Sequence, residues 1–360
     1  MKVLMLSTDR KLLDPDSAVS KRTRAYGEFC ESMTVVVAGV GIKREVRLDE
    51  RVLVVFPGGS SKARNFFSML KESRRIAKQE LPSVVTLQDP FFVGVIGIFT
   101  ARAAKAPLQV QIHTNYFSRA FIFESLRHAV QFCLAAIVLP FASCVRVVTV
   151  ELAHKVRAYT TAPISILPIY TDISKFHHKH HTPDEYTKHP IILTVSRLAP
   201  EKRIDLVIRA LVRLPKAHLY VLGDGTERAA LEQEVQQCGV GERVHFLGWK
   251  DDPTAYYQHA DCFVQMSAYE GYGVSLVEAL ASGVPIITTD VGVVAELPID
   301  AVTIVEPTEY ALARALSTTL DSISETRQRQ HRARTSFLQN RMNEKEYIAE
   351  YKKLLETCGS

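Results

Sequence analysis

The chain alternates short aliphatic runs with helix-length amphipathic segments, and it does so twice. "KVLMLS", "MTVVVAG", "RVLVVFPG", "SVVTLQD", "LQVQIHT" and "VRVVTV" follow one another through the first 150 residues. Each is short and rich in branched or aliphatic residues, and most stop at polar or glycine residues, as buried parallel strands do. Between them, "SAVSKRTRAYGEFCES", the very basic "SKARNFFSMLKESRRIAKQEL" and the segments 91–105 and 119–139 carry helical spacing. A strand that is apolar on both faces must be covered on both, and an intervening helix supplies that cover. The expected fold class is therefore α/β with doubly wound parallel sheets.

The alternation lapses at "ISILPIYTDISKFHHKHHTPDEYTKHP", where proline, histidine and charge replace periodicity, and resumes at "IILTVSRL". "AHLYVLGDG", "VHFLGW", "CFVQMS" and "VPIITTD" are further strands, and "RIDLVIRALVRL", "ERAALEQEVQQCG" and "GVSLVEALASG" are helices, the last two stopped by glycine. A length of 360 residues accommodates two such domains. The expected division is an N-terminal domain over 1–167, a C-terminal domain over 168–342 and a closing helix over 343–360. The histidines 177, 178, 180 and 181 have no carboxylate or cysteine at ligand spacing, so a solvated loop is expected there and no metal.

Charge is divided unevenly. The net +5 is made of +10 over residues 1–165 and −5 over the remainder. A basic first half suits an anionic partner, such as a lipid-linked acceptor or an anionic membrane surface. No nucleic-acid motif accompanies the charge, so no nucleic acid is expected. "MKVLMLSTD" has too brief an apolar run for a signal peptide. The most lipophilic stretch, Ala129 to Val145, is short of a spanning length and contains Pro140. It reads as a buried helix running into a strand, with shallow membrane contact as the alternative. The six cysteines stand singly without ligand spacing, which suggests reduced thiols and a cytoplasmic protein, peripheral on the inner membrane face at most.

The chemistry gathers in "QMSAYEGYGVSLVEALASG". Glu270 precedes a glycine turn, Gly271-Tyr272-Gly273, and Glu278 lies about one turn into the helix expected to begin near Gly273. Glycines let a ligand approach the backbone, and a helix start offers free N–H groups to phosphate. With a carboxylate on each side, hydroxyls at both ends and phosphate in the middle fit: a nucleotide-sugar. The bland reading makes Glu270 a helix cap and leaves Glu278 facing solvent. Yet Glu278 sits among Val277, Ala279 and Leu280, where a carboxylate needs a partner. Arg197 and Lys202 in "SRLAPEK" follow a strand end, the ligand edge of an open α/β sheet, where they can neutralise a diphosphate. Gly223 and Gly225 in "LGDG", and Gly292 after the next strand but two, belong to the same edge.

These residues resemble the retaining glycosyltransferases of family 4, the group 1 class with the GT-B fold. The resemblance is specific from Ser196 to Glu296 and looser before Ser165. It implies two Rossmann-like domains facing a central cleft, and transfer of a hexosyl group from a nucleotide diphosphate sugar to an acceptor hydroxyl with configuration retained. It implies that Glu270 contacts the transferred sugar, that Glu278 binds ribose hydroxyls, and that Arg197 and Lys202 hold the diphosphate. Gly223, Gly225, Gly271, Tyr272, Gly273 and Val274 would surround the donor. His113 in "QIHTNYF" matches a strand-end histidine that approaches the donor sugar; a core histidine is the competing reading. Ser17 to Ser20 would start the helix facing donor phosphate and acceptor, although the family's glycine-rich loop is absent there, and Ile169-Tyr170 replace its Asn-Gly pair. No Asp-x-Asp metal motif is present, so no cofactor or metal is expected. This reading leaves three donors open: a UDP-, GDP- or ADP-sugar. A nucleotide-sugar epimerase, a glycogen- or sucrose-type synthase and a non-catalytic nucleotide-sugar binder are the alternatives.

Overall fold

The computed structural model describes residues 1–188 and 190–359, apart from the side chains of His177 and Ser336. The contacts divide the chain into two compact units, Met1–Pro168 with Glu344–Ser360, and Ile169–Asn343.

In the first unit the strands are β1 (Lys2–Ser7), β2 (Ser32–Val37), β3 (Arg44–Arg47), β4 (Val52–Phe56), β5 (Val84–Leu87), β6 (Leu108–Ile112), β7 (Cys144–Val147) and β8 (Ile164–Ile166). They form one sheet in the order β3-β4-β2-β1-β5-β6-β7-β8. All neighbouring pairs are parallel except β3 with β4, which pairs antiparallel at the edge. The charged "REVR" of β3 gives no strand signal in sequence; pairing with β4 creates it. The helices are α1 (Ala18–Gly27), α2 (Lys62–Glu80), α3 (Phe92–Ala104), α4 (Arg119–Glu124), α5 (Leu126–Val138) and α6 (Val150–Val156). Ser17 caps α1, its side chain accepting from the Ser20 amide at 3.1 Å.

Two expectations for this unit change. The single helix expected over 119–139 is broken at Ser125, whose extended backbone ends α4 and whose hydroxyl caps α5 by accepting from the His128 amide at 3.2 Å. Nor is α5 a buried helix: Ala135 and Val138 are buried, while Leu126, Val130 and Ile137 lie exposed along its other side.

In the second unit β9 (Ile191–Val195), β10 (His218–Leu222), β11 (Val244–Gly248), β12 (Cys262–Gln265), β13 (Ile286–Thr288) and β14 (Thr303–Ile304) form a parallel sheet in the order β11-β10-β9-β12-β13-β14. Its helices are α7 (Ile204–Leu211), α8 (Arg228–Gln237), α9 (Thr254–His259), α10 (Val274–Ser282), α11 (Glu309–Asp321) and α12 (Ile323–Gln339). Strand residues such as Ile192, Leu219, Val221, Val264 and Ile287 pack with Val207, Leu211 and Leu316 into a closed aliphatic core. The order turns at β9, where strands run outward on either side; in an open α/β sheet this is where ligands sit, beyond the carboxyl ends.

The last helix, α13 (Glu344–Glu356), belongs to the first unit. Arg146, buried on β7, donates to the Tyr347 hydroxyl (2.6 Å), to Gln111 (2.7 Å) and to the Leu167 carbonyl (3.2 Å), and lies over the Tyr351 ring. Gln111 in turn donates to the Tyr351 hydroxyl at 2.9 Å. Each buried donor thereby keeps an acceptor. A disulfide joins Cys144, at the start of β7, to Cys358, just beyond α13. This corrects the expectation of six reduced thiols. Scattered spacing in sequence says nothing about residues 214 apart that the fold brings together.

The histidine-rich segment is a loop with His178, Lys179 and His181 exposed, as expected, and it is also tied to α9. The His180 amide donates to Gln258 (3.0 Å), and the His259 ring contacts the His180 carbonyl (2.8 Å), so α9 holds it in place. The His177 side chain lies outside the described residues. Among the described residues no group of three or more potential ligands could hold a metal ion. No helix among them is long and apolar enough to cross a membrane.

Candidate active site

At the carboxyl edge of the second sheet lies a cavity of about 390 Å³, lined by residues from five separate segments of the chain. Arg197, Lys202, Gly223, Glu270, Gly273, Val274 and Glu278 all border it.

Glycine is required where the β9 and β10 loops meet. A Cβ on Gly223, whose φ is +125°, would lie 1.9 Å from the Ser196 carbonyl oxygen, and one on Gly225 would lie 2.3 Å from that of Leu198. Small residues here let the "SRLAPEK" loop close down over the strand ends, which sets the course of Arg197 and Lys202. Arg197 is largely exposed and pairs with Glu201 at 3.0 Å. Lys202 is mostly buried and pairs with Glu270, whose same carboxylate oxygen accepts from the Ser267 hydroxyl at 2.9 Å.

Glu270 is therefore not a helix cap. Helix α10 begins after Gly273 with no side-chain cap, and Gly273, Val274 and Ser275 at its opening border the cavity. An uncapped helix start is an anion site in waiting. Next to it, Gln265 at the end of β12 accepts from the Ser275 hydroxyl at 2.7 Å, while its amide nitrogen is buried without a hydrogen-bond partner among the described residues.

Glu278 does not face solvent freely. Its carboxylate accepts from Lys175 at 3.4 Å on one oxygen and from the Tyr257 hydroxyl at 3.2 Å on the other. Burial first, and the neighbouring Glu278 carboxylate second, hold the Tyr257 phenol well above its ordinary range, so it stays a neutral donor. Lys175 also approaches Asp252 at 3.9 Å, which ties this end to the loop carrying Trp249, Lys250 and Asp251 along the cavity wall. The site thus has two ends: Lys202, Glu270 and Ser267 at one, Lys175, Glu278, Tyr257 and Asp252 at the other, with the α10 start near both.

The remaining expected residues fall elsewhere. Gly225, Gly271 and Tyr272 do not line the cavity. Tyr272 is buried, its hydroxyl accepting from Arg341 at 2.8 Å and its carbonyl from the Val293 amide at 2.7 Å. Gly292 packs under the same turn. These residues shape the loop that carries Glu270. Lys175 and Ser275 also line the cavity without a sequence signal of their own; Lys175 sits in the aperiodic "TDISKF", where no local pattern marks it.

Residues 176–336 match the family of glycosyl transferases group 1. A sucrose-phosphate synthase from Thermosynechococcus elongatus superposes with a TM-score of 0.80 over 98% of both chains at 19% identity. Anabaena HepE in complex with UDP superposes with a TM-score of 0.76 at 18% identity, covering 99% of this chain and 100% of that one. The chain has the GT-B fold, and its residues 176–336 are related to the group 1 glycosyltransferases. Among curated relatives, the lipopolysaccharide core biosynthesis glycosyltransferase LpsE of Rhizobium meliloti is 36% identical over 100 residues, 28% of this chain and 29% of LpsE. The O-antigen biosynthesis glycosyltransferase WclY of Escherichia coli is 35% identical over 96 residues, 27% of each chain. The matched segments span less than a third of these relatives' lengths.

In this GT-B protein His113 belongs to the first unit, directly after β6. Its Nε2 is buried with no partner among the described residues. Burial first, then the nearby Arg146 and Arg22 charges, push the imidazole down to about 3. The ring is neutral at neutral pH and can exchange only hydrogen bonds. Since the unfolded chain binds the proton near the ordinary value of about 6.5 and the folded one does not, stability is complete above that pH and falls as pH drops towards 3. Urea unfolding between pH 4 and 7 is expected to show this slope, at most about 1.4 kcal/mol per pH unit from this group. The His113→Gln protein should show a flatter profile; an unchanged slope would remove His113 as its source.

Proposed function

We propose that this protein is a retaining glycosyltransferase that moves a hexosyl group from a UDP-sugar to an acceptor hydroxyl in polysaccharide or glycolipid synthesis. The convergence of Lys202, Glu270, the uncapped start of α10 and Glu278 on one cavity carries this reading. The two ends give a donor its direction. Ribose hydroxyls pair with Glu278, beside the Trp249–Asp251 wall where a base can lie. The diphosphate meets the α10 amides, and the sugar lies against Glu270. Structures of HepE hold UDP, UDP with glucose, and UDP-glucose, which supports uridine as the base. LpsE and WclY act in lipopolysaccharide core and O-antigen biosynthesis, which supports a cell-surface saccharide product.

Lys202, Arg197 and the helix start stabilise negative charge that grows on the departing diphosphate, in a place already arranged to receive it. As the bond from the sugar carbon to the diphosphate oxygen breaks, the acceptor oxygen bonds to that carbon on the same face, and its proton passes to the leaving phosphate oxygen. This balances without a metal and without a protein nucleophile.

Thermal shift with UDP-, GDP- and ADP-glucose tests the donor. UDP-glucose should raise Tm most, because a ligand of the folded state stabilises it by mass action. The absence of any shift with all three at millimolar concentration would sink the reading. NMR of the product should then show a glycosylated acceptor with the donor's anomeric configuration; a free isomerised sugar nucleotide would point to an epimerase instead.

A further inference from the structure

The first unit holds a second, larger cavity of about 680 Å³, within the size range of small-molecule sites. It opens at the carboxyl edge of that sheet, between the residues that follow β1 and β2 and the first turns of α2 and α3. Its character is the opposite of the donor cavity's. Phe66, Phe67, Met69, Phe92 and Ile96 supply most of its walls, and no carboxylate lines it among the described residues. The nearby Asp89 carboxylate is taken up by the Thr8 hydroxyl at 3.3 Å and the Phe91 amide at 3.0 Å. The wall is braced: Asn65 accepts from the Gly39 amide at 3.0 Å and donates to the Gly58 carbonyl at 3.1 Å, pinning α2 to the loop after β2.

Two cations border this apolar space, Lys62 at the start of α2 and Arg127 at the start of α5. Both are exposed, and neither forms an ion pair or side-chain hydrogen bond among the described residues. At its rim Phe67 and Phe92 are 67% and 61% exposed, and Phe123 and Leu126, close in sequence to Arg127, are 83% and 85% exposed. A ligand that is apolar at one end and anionic at the other matches this arrangement; a free sugar, hydroxylated all round, does not. We propose that this cavity takes the hydrocarbon end of a lipid-linked acceptor, whose phosphate pairs with Lys62 and Arg127. The acceptor role rests on the transferase reading above, whereas the lipid-phosphate site does not.

Titration calorimetry with decyl phosphate, decanol and inorganic phosphate, each as separate probe below the micellar range, separates the two halves of the ligand. UDP is titrated into the same preparations as an independent check of the donor site. Decyl phosphate should bind the wild-type chain more tightly than decanol, and inorganic phosphate should compete poorly with it. The Lys62→Glu/Arg127→Glu protein should lose roughly tenfold or more of its decyl phosphate affinity, as expected for lost charge-assisted bonds, yet keep its affinity for decanol and UDP. Phe67→Ser, at an exposed rim position, should weaken decanol and decyl phosphate together. Decyl phosphate bound equally well by the charge-reversed protein would overturn the proposal. So would competition by inorganic phosphate at equal concentration, or no decyl phosphate binding by a protein that binds UDP. If decyl phosphate behaves as expected and UDP does not bind, the lipid-phosphate site stands and the donor reading falls.

Discussion

Lys202→Met is expected to lower kcat/KM for sugar transfer about a hundredfold or more, the loss typical of removing one fixed electrostatic contact from a developing charge. The residue is suited to so large an effect by its setting. Its ammonium is mostly buried, it pairs with Glu270, and it borders the cavity that also meets the start of α10. A cation held there before the reaction begins costs little reorganisation when the leaving diphosphate gains charge. Methionine keeps the length and apolar stem but leaves Glu270 without its cation, so the donor's phosphates meet an uncompensated carboxylate. Arg197→Met should cost less. Its side chain is 72% exposed and paired with Glu201, and a charge in water is screened. Initial rates with saturating acceptor, measured on proteins whose unfolding curves match wild type, decide the order. Equal losses in the two variants would mean that burial does not set their importance, and a wild-type rate for Lys202→Met would remove it from the chemistry.

The parts of this fold that were legible in sequence are those written locally. An aliphatic run bounded by glycine or a polar residue specifies a buried parallel strand with little help from the rest of the chain, and β1, β2, β6, β9, β10 and β12 all read this way. Glu270 and Glu278 were legible because glycine, carboxylate and helix signals fall within one short stretch. Lys175 was not. It reaches Glu278 across 103 residues of sequence, through a turn that packs Phe176 against Tyr257 on α9. The same holds for β3, whose charged residues become a strand only beside β4, and for Cys144 and Cys358. The exposed side of α5 is illegible in sequence for a different reason. A strongly apolar helix signals burial, but its composition does not say which side meets the core; Ala135 and Val138 do, whereas Leu126, Val130 and Ile137 lie exposed.

Glu270 and Glu278, alike in chemistry and eight positions apart, are expected to separate cleanly in their mutants. Glu278 belongs to the end of the site formed by Lys175, Tyr257 and the Trp249–Asp251 wall. If it holds ribose, Glu278→Ala should weaken UDP and UDP-sugar alike, by roughly 1.5–3 kcal/mol for a lost charge-assisted hydrogen bond. Part of that loss comes from Lys175 and Tyr257, which the carboxylate positions. Glu270 stands at the opposite end with Lys202 and Ser267. Glu270→Gln keeps an acceptor for the Ser267 hydroxyl and frees the Lys202 charge, so UDP should bind as well as before or somewhat tighter. Transfer should nevertheless fall by at least about tenfold in kcat/KM, because the lost interaction acts at the reacting sugar, which UDP lacks. Calorimetry with UDP and initial rates with UDP-sugar on the same preparations give both quantities. Wild-type transfer by a folded Glu270→Gln protein would end its assignment to the sugar. Equal loss of UDP affinity in both variants would show instead that the two carboxylates act jointly, by holding the turn between β12 and α10 in shape.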